Sequence, residues 1–182
     1  MPQSGLTLSD LARTYDLIVT GHHSTDEDDE YLAAHPDLLA LQSGRPVLVI
    51  PDGYEAPAST HHALVAWDGK RAAARALGDA IHILGNLHQV SVITIGNAGL
   101  IDPNPGGGVM ALLKRHGIKS EYLHRAASGQ SIASTLEEVA EEIEASLIVM
   151  GAFEHSKFSQ DIFGGVTSEI LKTSRIPVFM AH

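Results

Sequence analysis

The chain has no cysteine among its 182 residues. That excludes a disulfide framework, a thiolate zinc site and a thiol nucleophile, and it fits a reducing compartment. Basic residues are scarce as well: 12 Lys and Arg stand against 22 Asp and Glu, a formal net charge of -10. A binder of phosphate backbones carries the opposite sign, so nucleic acid is not an expected partner. No apolar run approaches membrane-spanning length, and Met1 to Gly5 shows neither the basic nor the apolar region of a leader. We therefore expect a soluble, cytoplasmic protein without a membrane partner. What the chain does have is 44% hydrophobic residues, enough to bury a full core.

It also repeats itself. The run Asp16-Leu17-Ile18-Val19-Thr20-Gly21 returns as Ser146-Leu147-Ile148-Val149-Met150-Gly151, and Arg45-Pro46-Val47-Leu48-Val49-Ile50 returns as Ile176-Pro177-Val178-Phe179-Met180-Ala181. Each copy reads as strand, glycine, loop, helix, X-Pro and strand. The second copy has about 90 residues in front of it, room for three more strands with their helices; the first has almost none. The expected organisation is a remnant over residues 1–51, a linker over 52–61 and a complete domain over 62–182. The linker follows Pro51, holds the breakers Gly53 and Pro57 and has no period.

In the first part, Leu6 to Thr14 reads as a helix tail, 15–20 as a buried strand, 36–42 as a helix and 46–50 as a second strand. The acidic run Asp26 to Glu30 lacks calcium-loop spacing and reads as a solvated loop. From His62 onward strand and helix alternate. Strands are expected at 63–67, 90–95, 119–124, 147–150 and 177–181, the third polar enough for a sheet edge. Between them Ala73, Leu77, Ala80, Ile81 and Leu84 mark one helix face, and Ile132, Leu136, Val139 and Ile143 another. A Gly/Pro-rich loop through Pro103 and Pro105 leads into a helix ending at Gly117, and a last helix covers about 165–173. Five strands joined by crossover helices imply an α/β, doubly wound parallel sheet of order 3-2-1-4-5.

Such sheets bind ligands beyond the carboxyl ends of their strands, where the strand order reverses. That places the candidate site at Ala66, Trp67 and Asp68, at Ile95, and along the stretch from Met150 to Thr167. Gly164-Gly165-Val166-Thr167 opens a helix, so its unpaired N-H groups and positive dipole end suit an anion. Gly151 and Gly164 are expected to let the backbone approach a ligand closely.

These residues carry a resemblance. Residues 62–182 resemble a universal stress protein domain, whose ATP-binding members carry Gly-x-x-Gly, nine residues, then Gly-[Ser/Thr]. This chain has Gly151-Ala152-Phe153-Glu154, nine residues, then Gly164-Gly165. Leu64 to Gly69 is similar to the family's first strand with its terminal aspartate, and residues 15–51 resemble the last two strands of a preceding copy, as in a tandem member with a truncated first domain. The resemblance implies a stress-response binding module that acts through dimerisation and takes ATP or AMP, with no metal beyond the Mg that accompanies the nucleotide. It further implies contacts from Ala66, Trp67, Asp68, Ile95, Met150, Gly151, Phe153, Glu154, Gly164, Gly165, Val166 and Thr167.

Two positions depart from the motif. Glu154 replaces a glycine and brings a negative charge near the phosphates, a repulsion of about 1 to 4 kcal/mol. Gly165 replaces Ser or Thr and removes a hydroxyl that contributes about 1.5 to 3 kcal/mol to a charged partner. The pairs His22-His23 and His61-His62 read as surface histidines, since neighbours on an extended segment point to opposite sides. No Walker-type phosphate loop and no nucleophile elbow is present, and we expect no catalytic residue. The alternative is a nucleotide alpha-hydrolase-like or phosphotransferase enzyme of similar topology, for which the loop offers only Glu154 and Asp161 as carboxylates. The resemblance also implies that Val47–Ile50 lies antiparallel beside Val178–Ala181, leaving the apolar edge 17–20 open. A homodimer or higher homo-oligomer is expected through strands 46–50 and 177–181 and that edge.

Overall fold

A computed structural model describes residues 7–21, 35–57, 62–96, 106–126, 129–153 and 165–182. The acidic run, the loop through Pro103 and Pro105, and Glu154 to Gly164 lie outside these residues. In chain order the elements are α1 (Leu8–Ala12), β1 (Ile18–Gly21), α2 (Pro36–Ser43), β2 (Val47–Ile50), β3 (His62–Ala66), α3 (Arg71–Leu84), β4 (Gln89–Ile95), α4 (Gly107–Arg115), β5 (Ser120–Arg125), α5 (Ile132–Glu142), β6 (Leu147–Gly151), α6 (Gly165–Thr173) and β7 (Val178–Ala181).

The strands form one sheet in the order β1-β2-β7-β6-β3-β4-β5. The five from β3 to β7 are parallel and stand as 3-2-1-4-5 in their own chain order. Two further strands extend that set to seven. β2 pairs antiparallel with β7, Leu48 opposite Phe179, and β1 pairs parallel with β2. The expected strand contact between 46–50 and 177–181 is thus made within one chain. β5, the most polar strand, takes one edge and β1 the other.

Helices cover both faces, which is why the central strands are apolar throughout. Leu64, Ile93, Ile148 and Met150 pack on one face against Leu39 of α2, Leu136 and Val139 of α5 and Ile170 of α6. On the other, Val65, Val92, Val149 and Phe179 pack against Leu77 and Leu84 of α3 and Leu113 of α4. Each such side chain, fully buried, contributes about 1.5 to 3 kcal/mol. Gly117 follows α4 at φ 71°, the left-handed conformation that ends a helix at low steric cost.

Ile132 differs from its expected inward position. It is the first residue of α5, directly after the N-cap Ser131 whose hydroxyl accepts from Ser134 N, and it is 44% exposed. His62 also differs from a plain surface histidine. It is half-buried at the start of β3, its Nε2 lies 2.7 Å from Ser91 Oγ, and that hydroxyl donates to Glu121 Oε1 at 2.6 Å. Ser91 is fully buried, so this cross-strand chain satisfies a hydroxyl that burial would otherwise penalise. No helix among the described residues is long and apolar enough to cross a membrane.

Candidate functional site

The strand order reverses between β3 and β6, and a cleft of about 180 Å³ opens at their carboxyl ends. β3 and the turn after it supply Ala66, Trp67 and Asp68, and β4 supplies Ile95. The end of β6 and the residues after it bring Met150, Gly151 and Phe153, and the first turn of α6 brings Gly165, Val166 and Thr167. Ten of the twelve residues singled out by sequence therefore border one cavity; Glu154 and Gly164 fall outside the described residues.

Several contacts fix the rim. Trp67 N donates to Ile93 O at 2.8 Å, and the Thr94 hydroxyl donates to Trp67 O at 2.8 Å, pinning the end of β3. Asp68 Oδ1 accepts from Lys70 N at 2.9 Å, and Asp68 Oδ2 lies 3.8 Å from Lys70 Nζ. Both side chains of this pair are more than 40% exposed, so it contributes at most about 1 kcal/mol. Its structural work is to start the turn into α3, and it leaves a carboxylate at the cleft mouth.

The floor is tighter than its sequence suggests. A Cβ on Gly151 would stand 2.5 Å from Ala73 N and 2.6 Å from Ala72 C. The glycine therefore admits the first turn of α3, a packing role beside its place in the lining of the cleft. Phe153 is buried with φ 61°, a left-handed conformation that costs a non-glycine residue about 1 to 2 kcal/mol. Three contacts hold this segment. Phe153 N donates to Thr167 Oγ1 at 3.5 Å, Ala152 N donates to Ala181 O at 2.9 Å, and His182 Nδ1 donates to Ala152 O at 2.8 Å. Thr167 is 3% exposed, so its hydroxyl braces the cleft wall. Gly165 has no atom within 4 Å of an added Cβ, so a side chain fits there.

Sequence reading missed Ala72, Ala73, Ile93 and Leu136 as lining residues and placed Ile132 in the core. Ile132 and Leu136 come over the strand ends from α5, and Ala72 and Ala73 from the first turn of α3. The signal available was the small pair Ala72-Ala73 at a helix start, matched to Gly151 on a neighbouring strand. The arrangement combines an apolar slot between helices, one carboxylate at its mouth and a helix N-terminus at its end. Such a slot accommodates a flat ring with an anion beyond it. Among the described residues no group of three metal-ligating side chains converges.

An open, mostly parallel α/β sheet with a cleft at its switch point defines the doubly wound class of folds. The family model for the universal stress protein family matches residues 59–182, and the chain belongs to that family. A universal stress protein from Archaeoglobus fulgidus DSM 4304 superposes with a TM-score of 0.71 at 21% identity. The match covers 94% of this chain and 62% of that one, so the chain spans under two thirds of that relative's length. A functionally unknown protein from Pseudomonas aeruginosa PAO1 superposes with a TM-score of 0.63 at 16% identity, covering 98% of this chain and 68% of that one. A universal stress protein in complex with cAMP superposes with a TM-score of 0.47 at 20% identity, covering 69% of this chain and 98% of that one. No curated protein matches the chain.

Proposed function

We propose that this chain is a stress-response binding module that takes an adenine nucleotide, ATP with its Mg or AMP, in the cleft between β3 and β6. One observation carries the reading: the carboxyl ends of β3 and β6 converge with the first turn of α6 on a single apolar slot. The base lies between Trp67 and Met150, and the phosphates lie at the start of α6, where unpaired N-H groups and the helix dipole favour negative charge. Asp68 at the mouth faces the ribose. The module acts by binding: among the described lining residues Asp68 is the one ionisable side chain. It acts in the cytoplasm, through assembly of copies rather than turnover.

Calorimetry with ATP and with AMP tests this reading. The expected result is one saturable site per chain that is lost when Gly165→Val narrows the slot and Thr167→Ala removes its brace. A site unaffected by that double substitution would place the nucleotide elsewhere. Steady release of phosphate from ATP would favour the phosphotransferase or hydrolase alternative.

A further inference from the structure

Of the large hydrophobic side chains left exposed among the described residues, Ile132 alone borders the cleft. Water contact at an isoleucine is unfavourable, and a ring seated in the slot relieves it. Ile132 is the first residue of α5, and the helix beyond it is well anchored. Ala133, Leu136, Val139 and Ala140 pack on the sheet, and Glu142 at the far end pairs with Arg125 at 2.8 Å.

The start of α5 is held differently. Ser131, the N-cap, is exposed, and its hydroxyl has two partners. It accepts from Ser134 N at 3.0 Å and donates to Glu169 Oε1 of α6 at 2.6 Å. Glu169 stands one helical turn after Gly165, so this bond joins the starts of the two helices that reach the cleft beside each other. One hydroxyl thus caps α5 and ties it to α6. The two tasks are separable, because the Glu169 side chain takes part in the tie and not in the cap.

We propose that the first turn of α5 is the clamp of the cleft: Ile132 grips the ligand ring, and the hydrogen bond between Ser131 and Glu169 is the latch that sets how long the ligand stays. This rests on the nucleotide reading above and adds what regulates that site. The latch preorganises Ile132. An untied first turn samples positions away from the slot, and apparent affinity falls by the fraction of time the clamp is out of place. Coupling of this kind is reciprocal, so a bound ligand steadies the turn as the turn steadies the ligand. Glu169 also carries a negative charge on the helix whose start favours the phosphates, and a bare charge there would weaken an anion's binding. Charge and latch therefore predict opposite effects of removing the carboxylate.

Stopped-flow binding and calorimetry with ATP on the full chain, beside Glu169→Ala, Glu169→Gln and Ile132→Ala, test the proposal. Neither side chain is buried, so the substitutions spare the fold, which thermal unfolding checks. Glutamine keeps an oxygen acceptor for Ser131 and alanine does not. The expected result is that Glu169→Ala and Ile132→Ala each raise the ATP dissociation rate about fivefold and weaken binding by a similar factor, and that Glu169→Gln restores most of the loss. Hydrogen exchange gives a readout without ligand. The Ser134 and Thr135 amides, which donate to Ser131, should exchange faster in Glu169→Ala than in Glu169→Gln. Equal tightening of ATP by Glu169→Ala and Glu169→Gln would make Glu169 a repelling charge and overturn the latch. Unchanged ATP constants in Glu169→Ala and Ile132→Ala would overturn the clamp and leave the nucleotide reading standing. A full chain that takes neither ATP nor AMP overturns both together.

Discussion

β1 and β6 are written in nearly the same letters, Leu-Ile-Val-x-Gly, yet one borders the cleft and the other ends the sheet. The difference lies in what covers each terminal glycine. Gly151 sits under the first turn of α3, with backbone atoms 2.5 Å from where its Cβ would be. Gly21 would meet Asp52 Oδ1 at 4.0 Å, an ordinary contact. A strand ending in glycine thus becomes the floor of a cleft when helices from elsewhere in the chain close over it. The local sequence supplies the strand; the neighbours supply the site.

The sharpest way to break this comparison is to add one methyl group at each position. Gly151→Ala forces α3 away from β6, and overpacking of this kind costs typically 1 to 3 kcal/mol. With backbone as the obstacle, we expect about 3 kcal/mol. In a chain of this size that lowers Tm by roughly 6 to 12 °C. Gly21→Ala should stay within about 0.5 kcal/mol. Paired thermal unfolding curves check this, and equal costs would mean that the two glycines are equivalent after all.

This asymmetry also marks how far the sequence could be read. Strand continuity, the polar β5 and the X-Pro starts of β2 and β7 made the sheet and its order legible, because each depends on residues close in sequence. Trp67, Asp68, Met150 and Thr167 were legible as residues that border the cleft because they sit at strand ends and a helix start. Ala72 and Leu136 were not, since they reach the cleft from helices whose approach is set by packing. Ile132 fitted the apolar period of α5 but lies a turn too early to be buried. That the Thr167 hydroxyl also accepts from Phe153 N is visible only once Phe153 is seen in its left-handed conformation.

Restoring the family pattern sharpens the comparison at the other end of the loop. Glu154→Gly with Gly165→Ser removes a charge and adds a hydroxyl where open space exists, and ATP should bind about tenfold tighter, about 1.4 kcal/mol. Unchanged affinity in calorimetry would mean that these two positions do not set it. The brace comes next. Thr167→Ala leaves the buried Phe153 N-H without its partner, and the long 3.5 Å bond sets the loss near 1 kcal/mol. Thr167→Ser keeps the oxygen and should recover most of that loss in urea unfolding.

The smallest effect belongs to α1, beside the open strand. Hydrogen bonds from the Thr7 hydroxyl and backbone, with Arg13 nearby, hold the Asp10 carboxyl below its ordinary value of 3.8. A lowered carboxyl pKa stabilises the fold above the unfolded value and loses that contribution as pH falls through the folded one. Asp10→Asn should therefore slightly flatten the acid limb of the stability profile and leave neutral behaviour nearly unchanged, apart from the lost ion pair. Chemical denaturation between neutral and acid pH reads this directly.

The central claim is that one end of this sheet, and not its near-copy, holds the ligand. Titrating ATP into isotope-labelled protein and following backbone amide shifts tests it most directly. Changes should gather at Trp67, Asp68, Gly151 and Thr167, while Thr20, Gly21 and Ile50 stay still. Shifts centred on Gly21, or spread evenly over both strand ends, would contradict the account.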